Sequence, residues 1–320
     1  MKAAINTQYG PPEVVHVREV EKPTPSANQV LIRVYASTVN RTDSGFRSAE
    51  YFVSRFFSGL FRPKLKTLGC EFAGQIEAIG KAVTLFKVGD RVFGYNDSTF
   101  GGHAEYLTQA EDAPIATIPA GLSYEEAAPI TEGAHYALGN IRAAKVTTGQ
   151  NTLVYGATGA IGSAAVQLLK EVGAQVTAVC ATRHVAFVHS LGADRVIDYT
   201  KEDFTQTGQT FDFIFDAVGK SSFGTCKPVL TEKGIYISTE LGKNLENIFL
   251  ALTTPLLGGK KVLFPIPITS KDDIVFLKEL VSQGKFKPVI DRRFSLGQIV
   301  DAYRYVETGQ KTGNVVLTMT

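Results

Sequence analysis

YGATGAIGSAAVQLLK, Tyr155 to Lys170, spaces three glycines three residues apart. Gly156, Gly159 and Gly162 stand between an apolar run, TLVY, and a helical pattern, SAAVQLLKEV. A tight turn, a residue without Cβ where backbone approaches a pyrophosphate, and a small residue where helix meets strand are what a dinucleotide loop requires. Amide N–H groups at the helix start then face the phosphate charge. The spacing therefore assigns Gly156, Ala157, Thr158, Gly159, Ala160, Ile161 and Gly162 to a cofactor loop.

Downstream the chain keeps the same rhythm: QVTAVC, a helix through FVHSLG, RVIDY, then FDFIFDAV and GIYISTE. Apolar strands alternating with helices predict a parallel sheet covered on both faces, an α/β domain of the doubly wound Rossmann kind. An acid binding the ribose 2′-OH belongs at the tip of the second strand, roughly 20 positions past the loop. That tip reads CATRH: Cys180, Ala181 and Thr182, then Arg183 and His184. An arginine beside a hydroxyl suits a phosphate dianion, so NADP(H) is expected over NAD(H). Further on, KKVLFPIPI reads as a strand, KDDIVFLKELVSQ and GQIVDAYRYVET as helices, and NVVLTM as a last strand.

Upstream, short alternating runs bounded by turn residues, such as QVLIRVYAS, FAGQIEAIG and RVFGY, predict a β-rich, barrel-like half to about residue 120. In AEYFVSRFFSGLFRPK, Phe52, Phe56 and Leu60 fall at helical spacing, which predicts a short amphipathic helix inside a long loop. SYEEAAPITEGAHYALGNI opens with a serine and acids, a helix start.

At 320 residues the chain has room for two domains. With 33 basic against 31 acidic residues there is no large field to hold nucleic acid, so the expected partners are small molecules. Cys70, Cys180 and Cys226 are too few and too far apart for a disulfide framework or a zinc knuckle. The opening MKAAINTQYG has neither an apolar h-region nor an Arg/Ser-rich pattern, and the run Ile248 to Leu257 is broken by threonines and Pro255. The expectation is a cytoplasmic protein without an integral membrane segment.

GDRVFGY, EEAAPITEGAHYAL, the glycine loop and LGADRVIDY, in that order, make the chain similar to the medium-chain dehydrogenase/reductase superfamily. Within it the resemblance is to the zinc-free quinone oxidoreductase and ζ-crystallin branch, and most of all to chloroplast-envelope-type quinone or alkenone reductases. It implies a GroES-like β-barrel catalytic domain from residues 1–122 and 287–320 and a Rossmann NADP(H)-binding domain from 123–286. It further implies cofactor contacts at Tyr199, Val218, Gly219, Phe264, Pro265 and Ile266, and a homodimer joined at a sheet edge such as KKVLFPIPI.

Zinc-dependent members hold their ion with a Cys before a His-Ser/Thr-Asp tripeptide, a His in Gly-His-Glu, and a third group. The matching stretches here are ASTVNRTDSG, with Asn40 at the Cys position, Gly69-Cys70-Glu71, and PITEG with Glu132. Cys70, Glu71 and Glu132 still offer three side chains. An asparagine amide is a poor zinc donor, however, and the expectation is no metal. Nothing then lowers an alcohol's pKa. Hydride addition to a quinone or an α,β-unsaturated carbonyl needs only hydrogen-bond donors at the carbonyl oxygen. Asn40 is the first candidate, followed by Thr42 and Tyr136. A proton comes from water or from a tyrosine, Tyr51 or Tyr95. His135 and His103 read as structural. The alternative to a reductase is a non-catalytic NADPH-binding protein, and less readily a zinc-dependent alcohol dehydrogenase.

Two local questions stay open. The Phe/Arg-rich segment from Phe46 to Arg62 reads as an apolar lid over a hydrophobic substrate, as an interfacial element making peripheral membrane contact, or as plain packing. Cys70 reads as a pocket-wall thiol that electrophilic substrates would alkylate if exposed, or as a small filler.

Overall fold

Strand β3 (Gln29–Val39) organises the first half of the molecule. Along the chain it follows β1 (Lys2–Asn6) and β2 (Val15–Glu19), and precedes α1 (Arg41–Ser48), α2 (Arg55–Ser58), β4 (Glu71–Ile79), β5 (Arg91–Tyr95), β6 (Tyr106–Ala110), β7 (Ile115–Thr117), α3 (Tyr124–Ala127) and α4 (Glu132–Ala144). The second half runs β8 (Asn151–Tyr155), α5 (Ala160–Val172), β9 (Gln175–Cys180), α6 (Val185–Ser190), β10 (Arg195–Asp198), β11 (Phe211–Asp216), α7 (Phe223–Cys226), β12 (Leu230–Ser238), α8 (Glu246–Leu257), β13 (Lys261–Leu263), α9 (Lys271–Ser282), β14 (Ile290–Ser295), α10 (Ile299–Glu307) and β15 (Asn314–Thr318). The computed structural model describes residues 1–50, 55–266 and 268–319. Tyr51 and Phe52, singled out above, lie outside the described residues.

Residues 1–132, 269–284 and 288–320 form one compact unit, and 133–268 with 285–287 form another. The sequence reading drew the boundaries after residue 122 and before 287. Helix α9 groups with the first unit, where Lys271 Nζ donates to the Glu111 carbonyl at 2.7 Å and Lys278 Nζ to Thr117 Oγ1 at 2.6 Å.

In the first unit β3 pairs with β4 along one edge, and divides its other edge between β6 (Gln29 to Arg33) and β15 (Ala36 to Val39). Val30, Ile32, Val34 and Phe72 pack with Ile299, Tyr303, Val306 and Val315 into its core. Because β3 has partners on both edges, its C-terminal end at Val39 is held firmly. It delivers Asn40 and α1 beside the first residues of β4.

The second unit is a six-stranded parallel sheet in the order β10-β9-β8-β11-β12-β13. In order of appearance that is 3-2-1-4-5-6, the doubly wound arrangement expected, with its reversal between β8 and β11. Leu153 and Val154 in β8 and Phe213 to Phe215 in β11 are fully buried, as central parallel strands require.

Three local expectations change. The helix expected in the Phe/Arg-rich segment is, among the described residues, only α2. Gly59 takes φ +120°, where a Cβ would lie 2.2 Å from the Arg62 carbonyl, and the chain turns away. Phe56 before that turn and Phe61 after it are exposed. The strand in KKVLFPIPI stops at Leu263, since Pro265 has no N–H for a ladder. The helix from Ser123 is broken at Pro129 into α3 and α4.

Candidate active site

The glycine loop divides its labour among three positions. Gly156 sits at φ +81°, where a Cβ would meet Val218 Cγ1 at 2.5 Å. Gly162 packs on the turn itself, its absent Cβ 2.1 Å from the Gly156 carbonyl oxygen. Gly159, the N-cap of α5, has no side-chain cap, and a Cβ there would find nothing closer than Gly156 O at 4.0 Å. Its missing side chain leaves room that no protein atom fills. The first-turn amides of Ala160, Ile161 and Gly162 have no carbonyl a turn before them and supply the positive end of a 13-residue helix. Ala157 is fully buried and acts as packing. A pyrophosphate fits this cradle. Gly133, which the sequence reading passed over, lets α4 touch the same turn, since a Cβ there would meet the Ala160 carbonyl at 2.7 Å.

Beside it, buried Asp216 at the end of β11 accepts the amides of Val218, Lys220 and Ser221 at 3.1, 3.3 and 2.7 Å, shaping the turn that presents Val218. Thr182 and Arg183 are exposed at the β9 tip, and Arg183 Nε donates to His184 Nε2 at 2.9 Å. Tyr199 is half exposed and, with Tyr155, Thr200, Lys201, Glu202, Asp203 and Phe204, lines an open cavity of about 460 Å³. Phe264 and Pro265 are half-buried and Ile266 is exposed, in the irregular chain after β13.

In the first unit, α1 opens with a capping box: Asn40 Oδ1 accepts the Asp43 amide at 2.9 Å and Asp43 Oδ2 accepts the Asn40 amide at 3.2 Å. The Asn40 amide hydrogens go to Cys70 Sγ at 3.1 Å and Thr38 Oγ1 at 3.5 Å. Asn40, the first candidate for a substrate donor, is thus buried and fully engaged as a helix cap. Glu71, completely buried, is the hub. Its Oε2 accepts Thr38 Oγ1 at 2.6 Å; its Oε1 accepts Thr131 Oγ1 at 2.7 Å and the amides of Thr131 and Glu132 at 3.0 and 2.6 Å. Thr42 Oγ1, half-buried, donates to Glu132 Oε1 at 2.6 Å. Tyr95 is buried on β5 with its hydroxyl 3.5 Å from Asp97, and Tyr136 belongs to the second unit, on α4.

Burial dominates the electrostatics here. It raises Asp43 to about 7 against the pull of amide donors from Gly69 and Asn40, and lowers His103, whose Nε2 lies 2.7 Å from the Thr38 carbonyl, to about 4. Burial, then repulsion from Glu71 and Asp43, pushes Glu132 well up toward its neutral acid, so the Thr42–Glu132 contact can run in either direction. Lys311, whose Nζ donates to the Gly313 carbonyl at 2.6 Å, is pushed down by burial. Burial also holds Cys70 as a thiol far above its ordinary range, at zero exposure. Cys70 is therefore a filler and not an exposed, alkylatable thiolate.

The donor set does not fit zinc. Asn40 turns N–H groups toward Cys70, and both Glu71 oxygens are filled by donors. Among the described residues, no group of three or more His, Cys, Asp or Glu side chains is arranged to hold an ion. Nor is any helix among them long and apolar enough to cross a membrane.

Residues 26–120 match the alcohol dehydrogenase GroES-like domain and residues 191–317 the family described as zinc-binding dehydrogenase. The chain is 33% identical to a 2-methylene-furan-3-one reductase of Solanum lycopersicum over 99% of its length and 79% of the relative's. It is 30% identical to an Arabidopsis thaliana protein named NADPH-dependent alkenal/one oxidoreductase, chloroplastic, over the same shares. The solved quinone oxidoreductase from Coxiella burnetii superposes with a TM-score of 0.89 at 28% identity, covering 100% of this chain and 99% of that one. Whole-length likeness of this kind, joined to a GroES-like half and a pyridine-nucleotide sheet, settles the lineage: the chain belongs to the medium-chain dehydrogenase/reductase superfamily, in its quinone oxidoreductase and alkenal/one reductase branch.

Proposed function

We propose that this protein is an NADPH-dependent, zinc-independent reductase of quinones and α,β-unsaturated carbonyl compounds. The observation that carries the reading is that Asn40 donates to Cys70 while the Glu71 carboxylate is filled by Thr38, Thr131 and the Glu132 amide, which leaves no open set for a Lewis acid. The relatives' printed activities support the substrate class. Gly156, Gly159, Gly162 and the first turn of α5 would hold the pyrophosphate, and Arg183 and Tyr199 a 2′-phosphate. When bound, the reduced nicotinamide supplies the hydride. Thr42 is the donor assigned to the developing oxyanion: the residue is half-buried where Asn40 is buried, and once Glu132 is the neutral acid the Thr42 hydroxyl can accept from it and turn its own proton to the substrate. Glu132 behind it holds a proton that can follow through Oγ1.

The test is NADPH oxidation followed at 340 nm with 1,2-naphthoquinone and a medium-chain enone after chelator treatment. Turnover supports the reading; flat absorbance across a broad carbonyl panel leaves a non-catalytic NADPH-binding protein, and activity lost to chelator and restored by zinc overturns zinc independence. Arg183→Ala should lower the NADPH over NADH preference. A homodimer is part of the same proposal: β13 is an open sheet edge, and beside it α8 shows Ile248, Phe249, Leu252 and Leu256 to solvent. Light scattering that finds only monomer would refute it. All three cysteines are unpaired, in keeping with a reducing, cytoplasmic compartment.

A further inference from the structure

The β9 tip carries no acid, yet the fold brings one there from the neighbouring strand. In the parallel pairing of β9 with β10, Asp198 stands opposite Cys180. An acid at this place in a doubly wound sheet has an obvious reading, acceptor for a ribose 2′-hydroxyl, which would favour NADH. The hydrogen bonds exclude it. Asp198 Oδ1 accepts the Thr200 amide at 3.0 Å and the Thr200 hydroxyl at 2.7 Å. Oδ2 accepts the Thr182 hydroxyl at 2.6 Å and faces Lys201 Nζ at 3.4 Å. Four donors fill a carboxylate's acceptor sites. The side chain is only 13% exposed, and the Thr182 hydroxyl above all holds it ionised, down to about 2.

These bonds join two turns that are distant in sequence. Thr182 opens the turn that carries Arg183 and His184; Thr200 sits between Tyr199 and Lys201. The two threonine hydroxyls are 2.9 Å apart, both against the one carboxylate, so each has its proton directed to Asp198 and not outward. Thr182, grouped above with the phosphate contacts, is thus a tie between turns. Around the tie stand Arg183, Lys201 at 68% exposure and Tyr199 at 55%, while the exposed acids next to Lys201 have partners of their own, Glu202 with Arg195 at 2.9 Å and Asp203 with the amide and hydroxyl of Thr205 at 2.9 and 2.8 Å.

We propose that Asp198 is a positioning residue for cofactor selection: by tying the Thr182 turn to the Thr200 turn it holds Arg183, Tyr199 and Lys201 together around the 2′-phosphate of NADPH, and it touches neither ribose nor phosphate itself. This rests on the NADPH reading above. It adds Lys201 to the phosphate donors and gives the anionic side chain a structural reason to stand next to a phosphate.

The experiment measures KM and kcat for NADPH and for NADH, with one quinone substrate, in wild type, Asp198→Ala and Asp198→Asn. Asp198→Ala cuts the tie, and KM for NADPH should rise about tenfold, the worth of one well-placed charge-assisted bond. Its kcat, and KM for NADH, should stay within roughly twofold, because positioning of the 2′-phosphate is all that is lost. In Asp198→Asn the amide oxygen still accepts from Thr200 and the amide nitrogen donates to Thr182 Oγ1, so NADPH affinity should return to near wild type. A rise in KM for NADH, or an equal rise for both cofactors, overturns the proposal in favour of a ribose acceptor or general damage. Failure of the Asn variant to rescue, or an NADPH KM below wild type in either variant, also overturns it. Wild type preferring NADH would sink the cofactor reading itself; wild type preferring NADPH with an unchanged ratio in Asp198→Ala sinks only this inference.

Discussion

Glu71 offers the sharpest test of how the first unit's polar core works. It is completely buried and accepts two threonine hydroxyls and two backbone amides. In Glu71→Ala the hydroxyls of Thr38 and Thr131 can rotate, but the amides of Thr131 and Glu132 cannot. A buried donor left without an acceptor costs about 1–3 kcal/mol, so two amides cost about 2–6 kcal/mol, before the cavity is counted. That is a large share of the 5–15 kcal/mol typical of a folded domain. Glu71→Gln is different. Its amide oxygen can keep the three donors on the Oε1 side, its amide nitrogen can donate to Thr38 Oγ1, and the repulsion that raises Glu132 is relieved. Its cost should be about 1 kcal/mol or less. Urea titration followed by circular dichroism should show an early transition moving far in the Ala variant and little in the Gln variant, with metal analysis alongside. If Gln is as damaging as Ala, or if bound zinc is found in wild type and lost in Gln, the hub reasoning is wrong and Glu71 is a ligand.

Three further outcomes follow from the same geometry. Gly162→Ala puts a Cβ 2.1 Å from a backbone oxygen and should weaken NADPH binding more than tenfold while displacing the turn, whereas Gly159→Ala, with 4.0 Å of clearance, should weaken binding without lowering the melting temperature; fluorescence titration and calorimetry separate the two. His103 is buried neutral at about 4 and would take a proton below 6.5 once unfolded, so its contribution is present above pH 6.5 and lost as pH falls toward 4. His103→Gln should therefore cost more stability at pH 7.5 than at pH 4.5, by roughly 2.5 kcal/mol, and a gap that does not change with pH would refute a buried neutral imidazole. Cys70, at zero exposure, should stay unmodified by mass spectrometry while the native protein turns over an enone; an adduct there would contradict its burial.

Much of the architecture was readable from pattern. Strand and helix periods are local, and so is the glycine loop, because its three positions lie within seven residues and each answers one backbone requirement. Ser123 with Glu126 marked a helix start for the same reason. Pro129 and Pro265, though visible, were not given their weight in the helix and strand they interrupt. Gly133 and Asp198 were not legible as site residues, and Glu71 was read only as a possible metal ligand. Each owes its role to a partner distant in sequence: Ala160 for Gly133, Thr182 for Asp198 and Thr131 for Glu71.

Residue pattern alone specifies a parallel nucleotide-binding sheet after a β-rich half, and puts Asn40 at the position of a zinc ligand. What Asn40 does with its amide, the burial of the Cys70 thiol, and the arrival of β9's missing acid from β10 depend on packing between distant segments. Hydrogen-bond saturation is a property of all the neighbours at once. A side chain's type states what it can donate or accept, and only the register of the strands around it states whether that capacity is already taken.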